Sequence, residues 1–156
     1  MILFKFALSF FGAFHVTCMT SKRQQVGLEK STLEFSVTNQ EGRVVKQQRV
    51  THYHMNTWSK DGLCTDIEAI CDLLIHLLDD GLVGLVHCMV GQGRSGSFVF
   101  ALMLVREVLL GKKFDPIELA VQLQRNRYKA MLHASDFTFG LYVAMITLSR
   151  YVLDPP

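Results

Sequence analysis

Residues 84–97, GLVHCMVGQGRSGS, join a short apolar run to a glycine-studded loop, which leads into a helix-like apolar run from Phe98 to Leu110. This order predicts a strand, a loop and a helix start. Because Gly91 and Gly93 carry no side-chain bulk, successive backbone N–H groups of the loop can turn inward. The N-terminus of the following helix adds partial positive charge. The stretch therefore predicts a binding site for a phosphate-like dianion.

Cys88 lies at the mouth of this predicted anion site. The helix end, the loop N–H groups and Arg94 all favour a thiolate over a thiol, and a thiolate is a strong nucleophile. Arg94 offers a planar fork for two phosphoryl oxygens, and Ser95 can donate to the sulfur. The chemistry indicated is phosphoryl transfer to Cys88, expulsion of an alcohol or phenol, and hydrolysis of the thiophosphate by water. A nucleotide-binding P-loop is excluded because the sequence contains no Gly-x4-Gly-Lys-Ser/Thr.

Residues 87–96 resemble the signature of the cysteine-dependent protein tyrosine phosphatases, His-Cys-x5-Arg-Ser/Thr-Gly. The resemblance covers about residues 31–150 and matches the C-terminal part of that family's domain, in its receptor and non-receptor branch. It implies that Cys88 is the nucleophile, that His87 holds the cysteine loop in shape and that Ser95 helps to discharge the sulfur. The implied phosphate-binding residues are Met89, Val90, Gly91, Gln92, Gly93 and Arg94. The plain alternative is that Cys88 is one more buried free cysteine.

The implied fold is α/β, with a mixed central β-sheet flanked by helices on both faces and Cys88 at the carboxyl end of a strand. Residues 31–38 alternate apolar and polar side chains, and residues 43–53 resume an extended pattern after the turn 39–42, which predicts a hairpin. The central strand is expected at 82–86. Helices are predicted over residues 65–80, 98–110, 116–125 and 135–152, the third with Asp115 as its N-cap.

The segment ending at Trp58 resembles the strand that delivers the family's general-acid loop, Trp-Pro-Asp-x-Gly. Here the loop reads Trp58-Ser59-Lys60-Asp61-Gly62, so that Lys60 stands at the acid's position and Asp61 comes one residue late. Two interpretations stay open. Either Asp61 acts as the general acid from a loop that closes differently, or Lys60 is a solvated charge and the acid is absent.

Residues 124–139 are similar to the late family segment that carries two water-positioning glutamines, and Leu132 and Asp136 stand at those positions. Because leucine cannot orient a water, breakdown of the thiophosphate should be slow. The sequence thus predicts a weak protein tyrosine phosphatase whose partner is a phosphotyrosine-containing protein or peptide. The alternative is a catalytically impaired module that captures such peptides. A third interpretation, a truncated product that folds poorly, rests on the lack of a counterpart to the family's N-terminal part.

Length and composition bound the remaining possibilities. A chain of 156 residues suits one domain, predicted over residues 31–156, and a net charge of +2 gives no argument for nucleic acid as a partner. The four cysteines, at positions 18, 64, 71 and 88, show no paired metal spacing, so reduced thiols are expected, with neither metal nor cofactor.

The N-terminal segment 1–30 is predicted as an apolar stretch followed by a polar linker over 21–30. No segment is long and apolar enough to predict a membrane span. For the apolar stretch, a secretory signal peptide over residues 1–18, a buried strand or helix, and the end of an incomplete chain all stay open. A cytoplasmic location is favoured because a reactive thiolate is at risk in an oxidising compartment.

Overall fold

The computed structural model describes residues 8–25, 27–59, 63–79 and 84–153. The chain forms two compact units, residues 1–57 and 58–156. The described strands belong to the first unit and the described helices to the second. The chain is therefore of the α/β class, as the sequence predicts.

The first unit is an antiparallel sheet of four strands in the order β1-β2-β3-β4. The strands are β1 (Leu8–Phe11), β2 (Phe14–Gln25), β3 (Leu28–Thr38) and β4 (Val44–Met55). Between β3 and β4, the side chain of Asn39 accepts hydrogen bonds from the backbone N–H groups of Glu41 and Arg43, at 3.0 and 2.9 Å. The last residue of the turn, Gly42, has φ +76°, a conformation that favours glycine. The predicted hairpin is confirmed.

The predicted linker over residues 21–30 is wrong. Strand β2 continues to Gln25 and β3 begins at Leu28, with a turn at Gly27, so that the domain boundary predicted at residue 30 falls inside a strand. Polar side chains pair across the two strands, among them Lys22 opposite Lys30 and Arg23 opposite Glu29. Strands that carry polar residues on both faces lack the alternating pattern from which a strand is predicted.

The apolar N-terminal stretch is extended where the structure describes it, with residues 8–11 in β1 and residues 14–16 in β2. Burial is not complete, since Phe14 is 57% exposed. Residues 1–7 lie outside the described residues. Of the two structural alternatives for this stretch, strand or helix, residues 8–11 and 14–16 adopt the strand.

The second unit contains four helices, α1 (Ile67–Asp79), α2 (Gly93–Leu109), α3 (Pro116–Asn126) and α4 (Ala134–Leu153). They confirm the four predicted helices, and Asp115 is the N-cap of α3 because its carboxylate accepts the Ile117 N–H at 2.8 Å. Helix α2, however, begins five residues before Phe98. Arg94 and Ser95 therefore lie in its first turn. Within the described ranges, none of the helices is both long and apolar enough to cross a bilayer.

Helix α2, whose first turn contains Arg94 and Ser95, packs closely against α4. A Cβ atom on Gly140 of α4 would lie 2.8 Å from a ring carbon of Phe100 and 3.0 Å from the carbonyl oxygen of Ser97. Phe100 is fully buried and stacks on Phe137, with ring centroids 5.0 Å apart. The absence of a side chain at Gly140 thus lets the two helices approach closely.

The predicted strand before Cys88 is wrong for its described part, residues 84–86, while residues 82 and 83 lie outside the described residues. Residues 84–88 have no regular secondary structure, and Leu85 is 90% exposed. An apolar run becomes a central strand only where neighbouring strands pair with it. Over the described part of the second unit, β-type pairing is limited to one isolated bridge between Trp58 and Cys64.

Candidate active site

The loop from Cys88 to Gly93 folds back on the cysteine sulfur. The backbone N–H of Gly91 donates to Cys88 Sγ at 3.2 Å, and Gly91 has φ +75°. Helix α2 begins at Gly93, and its first backbone hydrogen bond runs from the Gly96 N–H to the Gln92 carbonyl at 2.8 Å. The sulfur therefore lies beside inward N–H groups and the positive end of a helix.

These donors make the Cys88 thiol unusually acidic. Burial on its own would raise the pKa of Cys88, but donation to the sulfur from the Ser95 hydroxyl and from the backbone N–H groups of Ser95, Gly91 and Val90 outweighs it. The pKa of Cys88 falls from 9.0 to about 7. The Ser95 hydroxyl is buried and, among the described residues, has no partner within hydrogen-bond geometry, so its proton is not committed to another acceptor. At neutral pH a large share of Cys88 is the nucleophilic thiolate.

Arg94 connects the cysteine loop to the segment that precedes the expected general acid. Its guanidinium donates to the backbone carbonyl of Ser59 at 2.9 Å. The Ser59 N–H in turn donates to the Leu63 carbonyl at 2.8 Å, and Trp58 packs edge-on against Phe139 with centroids 5.3 Å apart. Both ends of the short segment are thereby held. Lys60, Asp61 and Gly62 lie outside the described residues.

Arg127 contacts the cysteine loop, although the sequence does not predict it as a residue of the site. Its Nε donates to the Gly91 carbonyl at 3.5 Å, and a Cβ atom on Gly91 would lie only 2.7 Å from the Arg127 guanidinium. Gly91 is therefore favoured by its positive φ, and a side chain at this position would displace the flexible end of Arg127. A basic residue 36 positions away gives no local pattern that marks it as a neighbour of the loop.

The two predicted water-handling positions differ in their surroundings. Leu132 is 49% exposed, and its side chain offers no hydrogen-bonding atom. Asp136 is buried, and its carboxylate lies against Gly93 of the cysteine loop. The structure thus brings Asp136 to the site together with Cys88, Gly91, Arg94 and Ser95. His87, Met89 and Val90 are exposed, and the roles predicted for them and for Gln92 stay predictions.

Alkylation of Cys88 by iodoacetamide is expected to rise with pH about a midpoint near 7, because the lowered pKa makes the thiolate available above that pH and removes it below. Cys71 is expected to stay unmodified, since burial raises the pKa of its thiol and the side chain is fully covered. Peptide mass analysis across pH 5–10 measures both. Ser95→Ala should move the Cys88 midpoint upward, and a native midpoint near 9.0 would contradict the donor arrangement.

Comparison with known families gives one matching model over most of the chain. The model described as protein-tyrosine phosphatase matches residues 5–146. Among the described residues, no three His, Cys, Asp or Glu side chains are grouped so that they could hold a metal ion.

Solved structures with the same fold include the catalytic domain of human protein tyrosine phosphatase non-receptor type 18, at a TM-score of 0.74 and 16% sequence identity. The alignment covers 90% of this chain and 51% of that one. A structure of PTPN18 in complex with HER2 phosphopeptides gives a TM-score of 0.72 and 18% identity, and covers 90% of this chain and 53% of the other. The chain thus spans about half the length of the solved structures that it matches.

Proposed function

The chain belongs to the protein-tyrosine phosphatase family, and on that premise we propose that it hydrolyses phosphotyrosine in a protein or peptide through a phosphocysteine on Cys88. The observation that carries the proposal is the surroundings of the Cys88 sulfur, which accepts the Gly91 N–H at 3.2 Å beside the first turn of α2 and whose donors lower the pKa of Cys88 to about 7. An inert structural cysteine has no need of such donors.

In the first step the Cys88 thiolate attacks phosphorus and the bond to the tyrosine oxygen breaks. The backbone N–H groups of residues 89–93 and the Arg94 fork hold the phosphoryl oxygens as negative charge shifts among them. Arg94 is already half-buried beside the sulfur's loop, and its bond to the Ser59 carbonyl keeps the guanidinium in place. The departing phenolate takes a proton, for which Asp61 is the candidate donor.

In the second step water attacks the phosphocysteine, phosphate is released and the thiolate returns. The donors around the sulfur stabilise this leaving group as they stabilise the resting thiolate. Leu132 brings no polar atom to this step, and for this reason we expect slow turnover. The partner is a phosphotyrosine-containing protein or peptide, which is consistent with the HER2 phosphopeptides held by the PTPN18 structures.

The second candidate function is capture of phosphotyrosine peptides without turnover. It is favoured by Lys60 at the family's acid position and by the apolar, half-exposed Leu132 at a water-positioning one. Binding needs only the loop and Arg94, so the same site serves either function.

An activated aryl phosphate and a phosphotyrosine peptide, compared on native protein and Asp61→Asn, test the proposal. We expect both substrates to turn over. Asp61→Asn should lower the rate of peptide hydrolysis by about 10²-fold, because the phenolate leaving group needs a proton. The rate on the activated substrate should stay within a few-fold of the native rate. Asp115→Asn is the matched control, since asparagine preserves the N-cap of α3. Saturable peptide binding with neither substrate hydrolysed would replace the phosphatase with the capture module.

A further inference from the structure

Asp136 is a buried carboxylate at the start of helix α4. Only 7% of the residue is exposed. Its Oδ2 accepts the backbone N–H of His133 at 2.9 Å, and its own N–H donates to the His133 carbonyl at 3.0 Å. This is one half of a capping box, in which the carboxylate three residues after the N-cap His133 accepts the N-cap N–H, while the return bond goes to the His133 backbone carbonyl. One carboxylate oxygen is thus committed to the helix end.

The other oxygen, Oδ1, is the nearer of the two to Gly93 of the cysteine loop. Asp136 Oδ1 lies 3.0 Å from the position that a Cβ atom on Gly93 would occupy, and Oδ2 lies 3.3 Å from it. Gly93 directly precedes Arg94 and opens helix α2. The two helix N-termini therefore meet at this point, and a carboxylate oxygen fills the space that glycine leaves empty beside the phosphate-binding loop.

We propose that Asp136 is the general base for hydrolysis of the phosphocysteine, an assignment that rests on the proposed phosphatase function. Water forms the new bond to phosphorus, the bond from Cys88 Sγ to phosphorus breaks, and the electron pair of that bond stays on sulfur as thiolate. One water proton passes to Asp136 Oδ1, and the products are phosphate and the free enzyme. Leu132 has no atom able to accept this proton.

The same position of Asp136 could instead oppose catalysis by repelling the phosphate. A carboxylate beside the loop disfavours a phosphate dianion through like charge. Neutralising Asp136 would then tighten oxyanion binding and speed turnover, whereas removing a base slows the second step. The two effects differ in sign, so that one variant decides between them.

The test is stopped-flow hydrolysis of an activated aryl phosphate by the full chain, native and Asp136→Asn. Asparagine keeps an oxygen that can accept the His133 N–H, so the cap of α4 is retained. We expect the variant to release one aryl alcohol per Cys88 in a fast burst at the native rate and then to turn over at least tenfold more slowly than native protein. Glu118→Gln, an exposed carboxylate in the first turn of α3, is the matched control and should change neither phase.

A second phase that is unchanged or faster in Asp136→Asn would overturn the assignment and leave the phosphatase proposal standing. Absence of aryl alcohol release from native protein would overturn both. If Asp136→Asn does not fold, native protein in D₂O replaces it. A proton transfer to Asp136 predicts a slower second phase in D₂O with the burst rate retained, and an equal second phase would overturn the assignment.

Discussion

Cys88→Ser is expected to lower hydrolysis of any phosphomonoester by at least about 10³-fold, because the nucleophile of the covalent step is lost. The donors of the loop are placed to stabilise a thiolate at a pKa of about 7. A serine hydroxyl at the same position keeps its proton at neutral pH, and therefore has little nucleophilic character. Steady-state rates on the activated aryl phosphate measure the loss.

Cys18→Ser is the matched control for this substitution. Cys18 is also a free cysteine, half-buried in β2, and we expect its replacement to leave the rate within about twofold, as for most substitutions remote from a site. Phosphotyrosine peptide binding should survive in Cys88→Ser, because the loop N–H groups and Arg94 remain. More than a tenth of native activity in Cys88→Ser would show that Cys88 is not the nucleophile.

Arg94→Ala is expected to lower kcat/KM by about 10²–10⁴-fold. The fork makes two charge-assisted hydrogen bonds to the phosphoryl group, each of about 1.5–3 kcal/mol, and about 1.4 kcal/mol corresponds to a factor of ten in rate. Arg94→Lys should recover only part of the loss, since an ammonium group restores the charge without the planar pair of donors. The bond to the Ser59 carbonyl is also lost in Arg94→Ala.

Arg106→Lys controls for the loss of an arginine from the same helix. Arg106 is exposed in the last turn of α2, and its replacement should leave kcat/KM within about twofold. Equal effects of the substitutions at 94 and 106 would place Arg94 outside phosphate binding.

The part of the site that lies within one short stretch could be predicted from the sequence. The spacing of Cys88, Arg94 and Ser95 around two glycines predicts an anion-binding loop, and in the structure the loop N–H of Gly91 donates to the Cys88 sulfur while Arg94 and Ser95 lie in the first turn of the following helix. Local hydrogen bonds of the loop and the first turn of α2 fix that arrangement. The sequence pattern nevertheless predicts α2 only from Phe98, because Gly93, Ser95 and Gly96 give the first turn no apolar periodicity.

Contacts between distant segments could not be predicted. Asp136 reaches the loop from the start of α4, which packs against α2 through Gly140, and Arg127 reaches it from the end of α3. No sequence pattern near either residue predicts these contacts. Strand β2 could not be predicted beyond residue 20 either, because polar residues on both of its faces give no alternating pattern, and its pairing with β3 is a contact that the sequence does not show. Residues 84–86 are the opposite case, a predicted strand that does not form, because this apolar run has no neighbouring strand among the described residues.

Rapid acid quenching of native protein during hydrolysis of the activated aryl phosphate, followed by peptide mass analysis, detects the phosphocysteine itself. We expect one phosphoryl group on the peptide that carries Cys88, in step with the first aryl alcohol released, and none in Cys88→Ser. Aryl alcohol release without a phosphoryl group on Cys88, or with the group on another residue, would contradict this expectation.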